Sequence, residues 1–213
     1  MNGLIKASNN IKFPASIDLV LSNNQKAHGL TIANSKNIKS YFFMKKEFEV
    51  NAQQILRKEK IEFICLAGFM QILSKNFIKS WTNRIINIHP SYLPNFKGLN
   101  AQEQVIRAKA TFSGCTVHYV NDEIDGGEII LQKKVELNAN EDIESLSKKI
   151  LIEEHKIYPK ALEITINKIL KNLLINYFFW YINSNNLVEI SANLSSAKKE
   201  LNLKIGTPIK VIN

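Results

Sequence analysis

Apolar and polar positions change period in blocks along the chain, and each block predicts an element. Residues 17–21 form a short apolar strand, closed by the turn Ser22-Asn23-Asn24. Residues 28–33 open a short helix, and residues 41–44 read as a brief strand or loop. Residues 48–59 carry Val50, Ile55 and Leu56 at helical spacing. Residues 61–67 are apolar but for Glu62, the pattern of a central parallel strand covered on both faces. Residues 74–81 predict a helix with Ser74 as its N-cap. A strand at 84–89, a helix at 100–108 and strands at 115–120 and 128–136 follow. A long helix over 143–171 has Glu141 and Asp142 near its start. Strands alternating with helices predict an α/β fold whose mostly parallel sheet becomes antiparallel late.

The chemistry concentrates in residues 85–132. Asn87 and His89 stand at the carboxyl end of a buried strand, where open α/β sheets place their ligand sites. Pro90 and Pro94 force a turn directly after it. Asn87 and His89 are expected to point opposite ways until that turn. Asp125 sits in a turn with Gly126 and Gly127, after the 115–120 strand. An Asn, a His and an Asp brought together can polarise a carbonyl, move protons and orient an imidazole. Each also has a plain structural reading: His89 as a core histidine, Asn87 as a strand-end cap, Asp125 as an Asx turn. His118 lies inside a strand and reads as a core residue or a supporting group, and Glu154 lies mid-helix like a surface glutamate.

Composition narrows the classes. A chain of 213 residues, 45% hydrophobic, is one large domain or one domain plus an extension, here 1–171 and 172–213. Cys65 and Cys115 lie in apolar runs and read as reduced core thiols of a cytoplasmic protein; no residues have metal-ligand spacing. The N-terminus carries no apolar signal segment. The net charge of +9 comes from scattered lysines without a basic-aromatic patch, so no nucleic-acid partner is expected. A lysine-rich solvated surface explains the charge, and it also suits a phosphorylated or anionic small molecule. Residues 173–182, LLINYFFWYI, are too short for a bilayer, which needs about 20 residues. Residues 191–213 are polar with weak strand signals and no motif.

Several motifs together resemble phosphoribosylglycinamide formyltransferase. They are Ala67-Gly68-Phe69-Met70, Asn87-Ile88-His89-Pro90-Ser91, Leu93-Pro94, Lys97-Gly98-Leu99, Gly114-Cys115-Thr116-Val117-His118, Asp125-Gly126-Gly127 and Glu154-His155-Lys156-Ile157-Tyr158-Pro159. They occur in the family's order and spacing over roughly residues 3–165. The resemblance implies a Rossmann-like sheet with helices on both faces, and formyl transfer from 10-formyltetrahydrofolate to the amine of glycinamide ribonucleotide in purine synthesis. It implies oxyanion contacts from Asn87 and His89, Asp125 as the carboxylate facing His89, and Glu154 at the substrate's amino end with Ile88 and Pro90 beside it. Met70, Gln71, Ile72 and Leu73 would edge the folate pocket together with Asn121, Asp122, Glu123 and Ile124, and Lys45 would lie near its side. The family commonly carries Arg where this chain has Gln71. No metal is implied, and the protein would be a monomer or homodimer.

Two related activities compete. Formyltetrahydrofolate deformylase shares the Asn-x-His and Asp set, but its turn usually reads Asp-Asp-Gly, against Asp125-Gly126-Gly127 here. Methionyl-tRNA formyltransferase usually has Arg-Gly-Ala where this chain has Lys97-Gly98-Leu99, and carries a tRNA-binding domain. The family also opens with a strand and a Gly-rich Ser-Asn loop that cradles the substrate phosphate on a helix N-terminus. Met1-Asn2-Gly3-Leu4-Ile5 looks like the helix after that loop. The expectation is a start placed too late or a true truncation, a sheet short of a central strand, and a third reading as an inactive remnant.

Overall fold

The computed structural model describes residues 1–182 and 188–192. Along the chain these form α1 (Asn2–Ser8), β1 (Leu19–Ser22), α2 (His28–Ser35), β2 (Lys39–Phe42), α3 (Phe48–Lys58), β3 (Ile64–Leu66) and α4 (Lys75–Ser80). There follow β4 (Ile85–His89), α5 (Ala101–Arg107), β5 (Phe112–Tyr119), β6 (Ile129–Glu136), α6 (Ile143–Tyr177), β7 (Phe178–Ile182) and β8 (Val188–Ala192). The elements match the hydrophobic pattern closely up to α6.

Local chemistry explains several boundaries. Ser74 caps α4 by accepting from the Phe77 N–H at 3.2 Å. Its own N–H donates to Glu49 Oε1 of α3 at 2.8 Å, which ties the two helices together at the cap. Between them Phe48, Ala52, Leu56, Leu73, Phe77 and Trp81 build an apolar cluster with Ile85 of β4. Leu19 and Leu21 of β1 and Ile64 and Leu66 of β3 pack against the same cluster. Side chains alternate across a strand, so Ile86 faces away from that cluster, and it is wholly buried as well. Sheet residues buried on both faces are what the continuous apolar runs predict.

The fold is α/β, with most strands of the sheet running one way. β1 pairs in parallel with β2, and β3 in parallel with β4. β5 runs antiparallel to both β4 and β6, so it is the single reversed strand in the order β3-β4-β5-β6. One expectation needs correction. The apolar pattern of residues 61–67 predicts a central strand, but β3 ends its four-stranded sheet, and β1-β2 form a separate sheet. Neither β1 nor β3 has a second strand partner among the described residues.

By compactness the chain divides into Met1–Ile164 and Thr165–Asn213, an earlier division than the one drawn at residue 171. α6 continues past that point to Tyr177, and β7 and β8 then pair antiparallel, Phe178 opposite Ala192. The apolar stretch 173–182 is therefore part helix and part strand. Of residues 191–213, polar with weak strand signals, the first two lie in β8 and 193–213 lie outside the described residues. Among the described residues no helix is long and apolar enough to cross a membrane.

Candidate active site

β4 delivers the first two groups. Asn87 and His89 are two residues apart on one strand, so they share a face, and the expectation that they point opposite ways is corrected. The antiparallel register then sets β5 residues across from them: His118 opposite Asn87, and Thr116 opposite His89. Beyond His89 the turn through cis Leu93–Pro94 is pinned to β5 and β6. The buried Thr116 hydroxyl donates to the Ser91 carbonyl at 2.7 Å and accepts from the Leu93 N–H at 3.1 Å. Gln132 Nε2 donates to Thr116 Oγ1 at 2.9 Å and to the Leu93 carbonyl at 2.8 Å.

Asp125 is delivered by the turn after β5. Its φ of 48° is left-handed, a conformation that Asp tolerates better than most residues. Gly127 is required two residues further on, because a Cβ there would stand 1.7 Å from the Tyr119 carbonyl oxygen. Asp125 Oδ2 accepts from the Gly98 N–H at 2.8 Å, and Gly98 can present that N–H because it adopts a φ of 78°. The Lys97–Glu123 ion pair at 2.8 Å joins the same two segments at the surface.

Four side chains meet. His89 Nδ1 lies 3.3 Å from Asp125 Oδ2, and His118 Nε2 lies 3.5 Å from Asp125 Oδ1. Asn87 Nδ2 lies 3.3 Å from His118 Nε2. His118 Nδ1 is 2.8 Å from the Tyr119 carbonyl, so Nδ1 carries a proton. In the neutral ring Nε2 accepts from Asn87, and in the imidazolium form it donates to Asp125 Oδ1; either way an Asn87 amide hydrogen is left for a ligand. His89 Nε2 is 2.8 Å from the Phe96 carbonyl. Both nitrogens of His89 thus face acceptors, and the imidazolium form satisfies both. Burial alone would raise the Asp125 carboxyl, but His118, the Gly98 N–H and His89 together hold it below the ordinary value. Asp125 is therefore a carboxylate at neutral pH, placed to stabilise a positive charge on either ring.

The quartet opens into a cavity of about 770 Å³, within the range of small-molecule sites. Ile88, Pro90 and Glu154 line it on the β4 and α6 side. Met70, Gln71, Ile72 and Leu73 line it after β3, and Asn121, Asp122, Glu123 and Ile124 line it after β5. Met70, Ile72, Leu99 and Ile124 are more than half exposed, an apolar rim. Leu73 is different: it is 7% exposed and belongs to the α3–α4 core as much as to the cavity. Lys45 does not reach this cavity. It lines a neighbouring hollow of about 520 Å³ with Asn23, Asn24 and Phe42, which shares Gly68 and Met70 with the larger one. Gln71 is held by Asn23 Nδ2, which donates to its Oε1 at 3.1 Å.

Charge in the cavity is uneven. Burial pushes the Glu154 carboxyl up to about 7, against the pull of the Met1 ammonium. A carboxyl near 7 can change its charge in the range where substrates bind. Cys65 and Cys115 are free, and burial pushes both thiols up to about 12, so they are inert thiols. The sequence does not decide between a core and a supporting role for His118, and it carries no signal for the Gly98 N–H, Thr116 or Gln132 as parts of the site. The strand spacing that put His118 inside a β-run was visible, but the register that sets it against Asn87 was not.

Comparison with known proteins fits this geometry. The model of the formyl transferase family matches residues 1–162. The phosphoribosylglycinamide formyltransferase of Haemophilus influenzae is 36% identical over 166 residues, 75% of this chain and 78% of that protein. The human trifunctional purine biosynthetic protein adenosine-3 is 38% identical over 170 residues, 77% of this chain. The chain spans only 17% of that protein's length. The crystal structure of phosphoribosylglycinamide formyltransferase from Anaplasma phagocytophilum covers 91% of this chain at 36% identity, with a TM-score of 0.75. That from Brucella melitensis covers 78% at 37% identity, with a TM-score of 0.73. Each match covers 88% of the solved chain. The chain belongs to the formyl transferase family, in which it is similar to phosphoribosylglycinamide formyltransferases.

Proposed function

We propose that this chain transfers the formyl group of 10-formyltetrahydrofolate to the amine of glycinamide ribonucleotide. The observation that carries the proposal is the cluster Asn87, His89, His118 and Asp125 at the wall of a cavity with an apolar rim. A flat, partly apolar folate suits the exposed Met70, Ile72 and Ile124, and the backbone polar groups of 121–124 suit a pterin edge. The setting is cytoplasmic and the unit a monomer or homodimer.

The amine attacks the formyl carbon, and the carbonyl oxygen becomes an oxyanion. Asn87 donates its free amide hydrogen to that oxygen, and His89 as imidazolium donates a second hydrogen bond. His89 must first exchange the Phe96 carbonyl for the substrate oxygen. Asp125 holds the imidazolium charge and, through water, relays the proton lost by the amine. The bond from formyl carbon to the folate nitrogen then breaks, and that nitrogen takes up a proton. Glu154 as carboxylate meets the substrate's amino end and orients it.

Purified protein is incubated with both substrates, and the folate product is followed by absorbance. Turnover that requires glycinamide ribonucleotide supports the reading. Folate product formed equally without the amine would show hydrolysis and overturn it, and so would no turnover.

A further inference from the structure

Tyr158 is buried, titratable and unused by the chemistry above. It projects from α6 one turn beyond Glu154, and residues four apart share a helix face. Its O–H donates to the Leu66 carbonyl at 2.7 Å, with the Ile86 carbonyl 3.3 Å away. Leu66 is the last residue of β3 and pairs with Asn87 in the β3–β4 register, while Ile86 directly precedes Asn87. One phenol proton therefore rests on carbonyls of both strands at the level of the reacting cluster. β3 has β4 as its only strand partner among the described residues, so this contact supplies part of what a second neighbour would give. Both Tyr158 and Glu154 line the cavity.

We propose that Tyr158 is a positioning residue for formyl transfer, whose hydroxyl fixes the distance between Glu154 on α6 and Asn87 on β4. The proposal rests on the function assigned above. Glu154 orients the attacking amine, and Asn87 and His89 hold the formyl oxygen, so attack depends on how α6 sits against the strand ends. Removing the hydroxyl keeps the ring in its pocket but releases the two carbonyls. α6 and β4 then lose their common anchor, and the amine meets the formyl carbon off line. A small misplacement of reacting groups lowers turnover far more than it lowers binding. The folate contacts come from 70–73 and 121–124, which the hydroxyl does not touch.

The test is Tyr158→Phe, assayed where both proteins are fully folded by calorimetry, with amide hydrogen exchange at residues 86–89 as an independent readout. The expected result is a kcat lower by about tenfold or more, a folate KM within about twofold of wild type, and faster exchange at Asn87. A kcat within about twofold of wild type would overturn the proposal even if thermal stability fell, because the hydroxyl would then be purely structural. A folate KM that worsens in step with kcat would overturn it too. If wild type itself transfers no formyl group, the assigned function fails, and the exchange rate alone decides for Tyr158: unchanged exchange at Asn87 overturns the positioning role. If Tyr158→Phe does not fold, Tyr158→His, which keeps a ring with an N–H donor, takes its place with the same expectations, reduced in size.

Discussion

The Thr116 hydroxyl donates to the Ser91 carbonyl at 2.7 Å, directly across the β4–β5 ladder from His89. That bond, with the Leu93 N–H and Gln132 Nε2 on the same oxygen, holds the turn that follows His89. Thr116→Val keeps the shape and removes the hydroxyl, leaving the buried Leu93 N–H without its acceptor and the Ser91 carbonyl without its donor. Stability should fall by about 1–3 kcal/mol. Thr116→Ser keeps the oxygen and loses one methyl, and should cost about 1 kcal/mol. Urea unfolding of both variants measures this; a valine variant as stable as the serine one contradicts the network.

Glu154 gives a pH signature. Its folded carboxyl is raised to about 7 from an ordinary 4.5. The folded state therefore binds the proton more tightly than the unfolded state. The stability this group contributes is fully present below 4.5 and is lost as pH rises through about 7. Glu154→Gln has no such loss. Its melting temperature relative to wild type should rise steadily across that window and level off above it. A constant difference between the two proteins from acid to alkaline pH would contradict the buried carboxyl. For binding the sign is opposite: the carboxylate that meets the amine appears only as pH rises, so KM for glycinamide ribonucleotide should worsen below pH 7 in wild type and not in Glu154→Gln.

Gln71→Arg places a cation at the mouth of the cavity. An exposed charge contact is worth at most about 1 kcal/mol, so folate KM should improve by no more than about fivefold. The gain is limited further because Arg cannot accept the hydrogen bond that Asn23 gives to Gln71 Oε1. Calorimetric titration with a folate checks this, and weaker binding in the variant would remove Gln71 from the folate wall.

The elements were legible in the sequence because their periods are clean. The apolar positions over 48–59 mark α3, although its buried face is Phe48, Ala52 and Leu56 and Val50 is exposed, and Ser74 caps α4 as its position suggests. The direction of β5 was legible as a late reversal, since the short connection to β6 admits an antiparallel neighbour. Strand order was not legible. An apolar run shows that a strand is covered on its faces, and says nothing about its edges, so the place of β3 at the end of its sheet was missed. Asn87, His89 and Asp125 were legible from strand-end position, turn glycines and the resemblance. His118 was not, because its meeting with Asn87 depends on a register that only the folded ladder defines. Lys45, which the resemblance implies near the side of the folate pocket, lies on the neighbouring hollow. The Gly98 N–H, a backbone donor, leaves no side-chain signal at all.

The central claim is that the Asp125 carboxylate and the His89 imidazole it faces, 3.3 Å apart, carry the formyl transfer. The direct measurement is turnover with both substrates for wild type, His89→Ala and Asp125→Asn, each checked for folding by calorimetry. Asp125→Asn can still accept the Gly98 N–H while losing the charge. The account predicts folded variants whose kcat falls by ~10²–10³ or more, as for loss of an oxyanion donor or its support. Near wild-type turnover in either folded variant would contradict it.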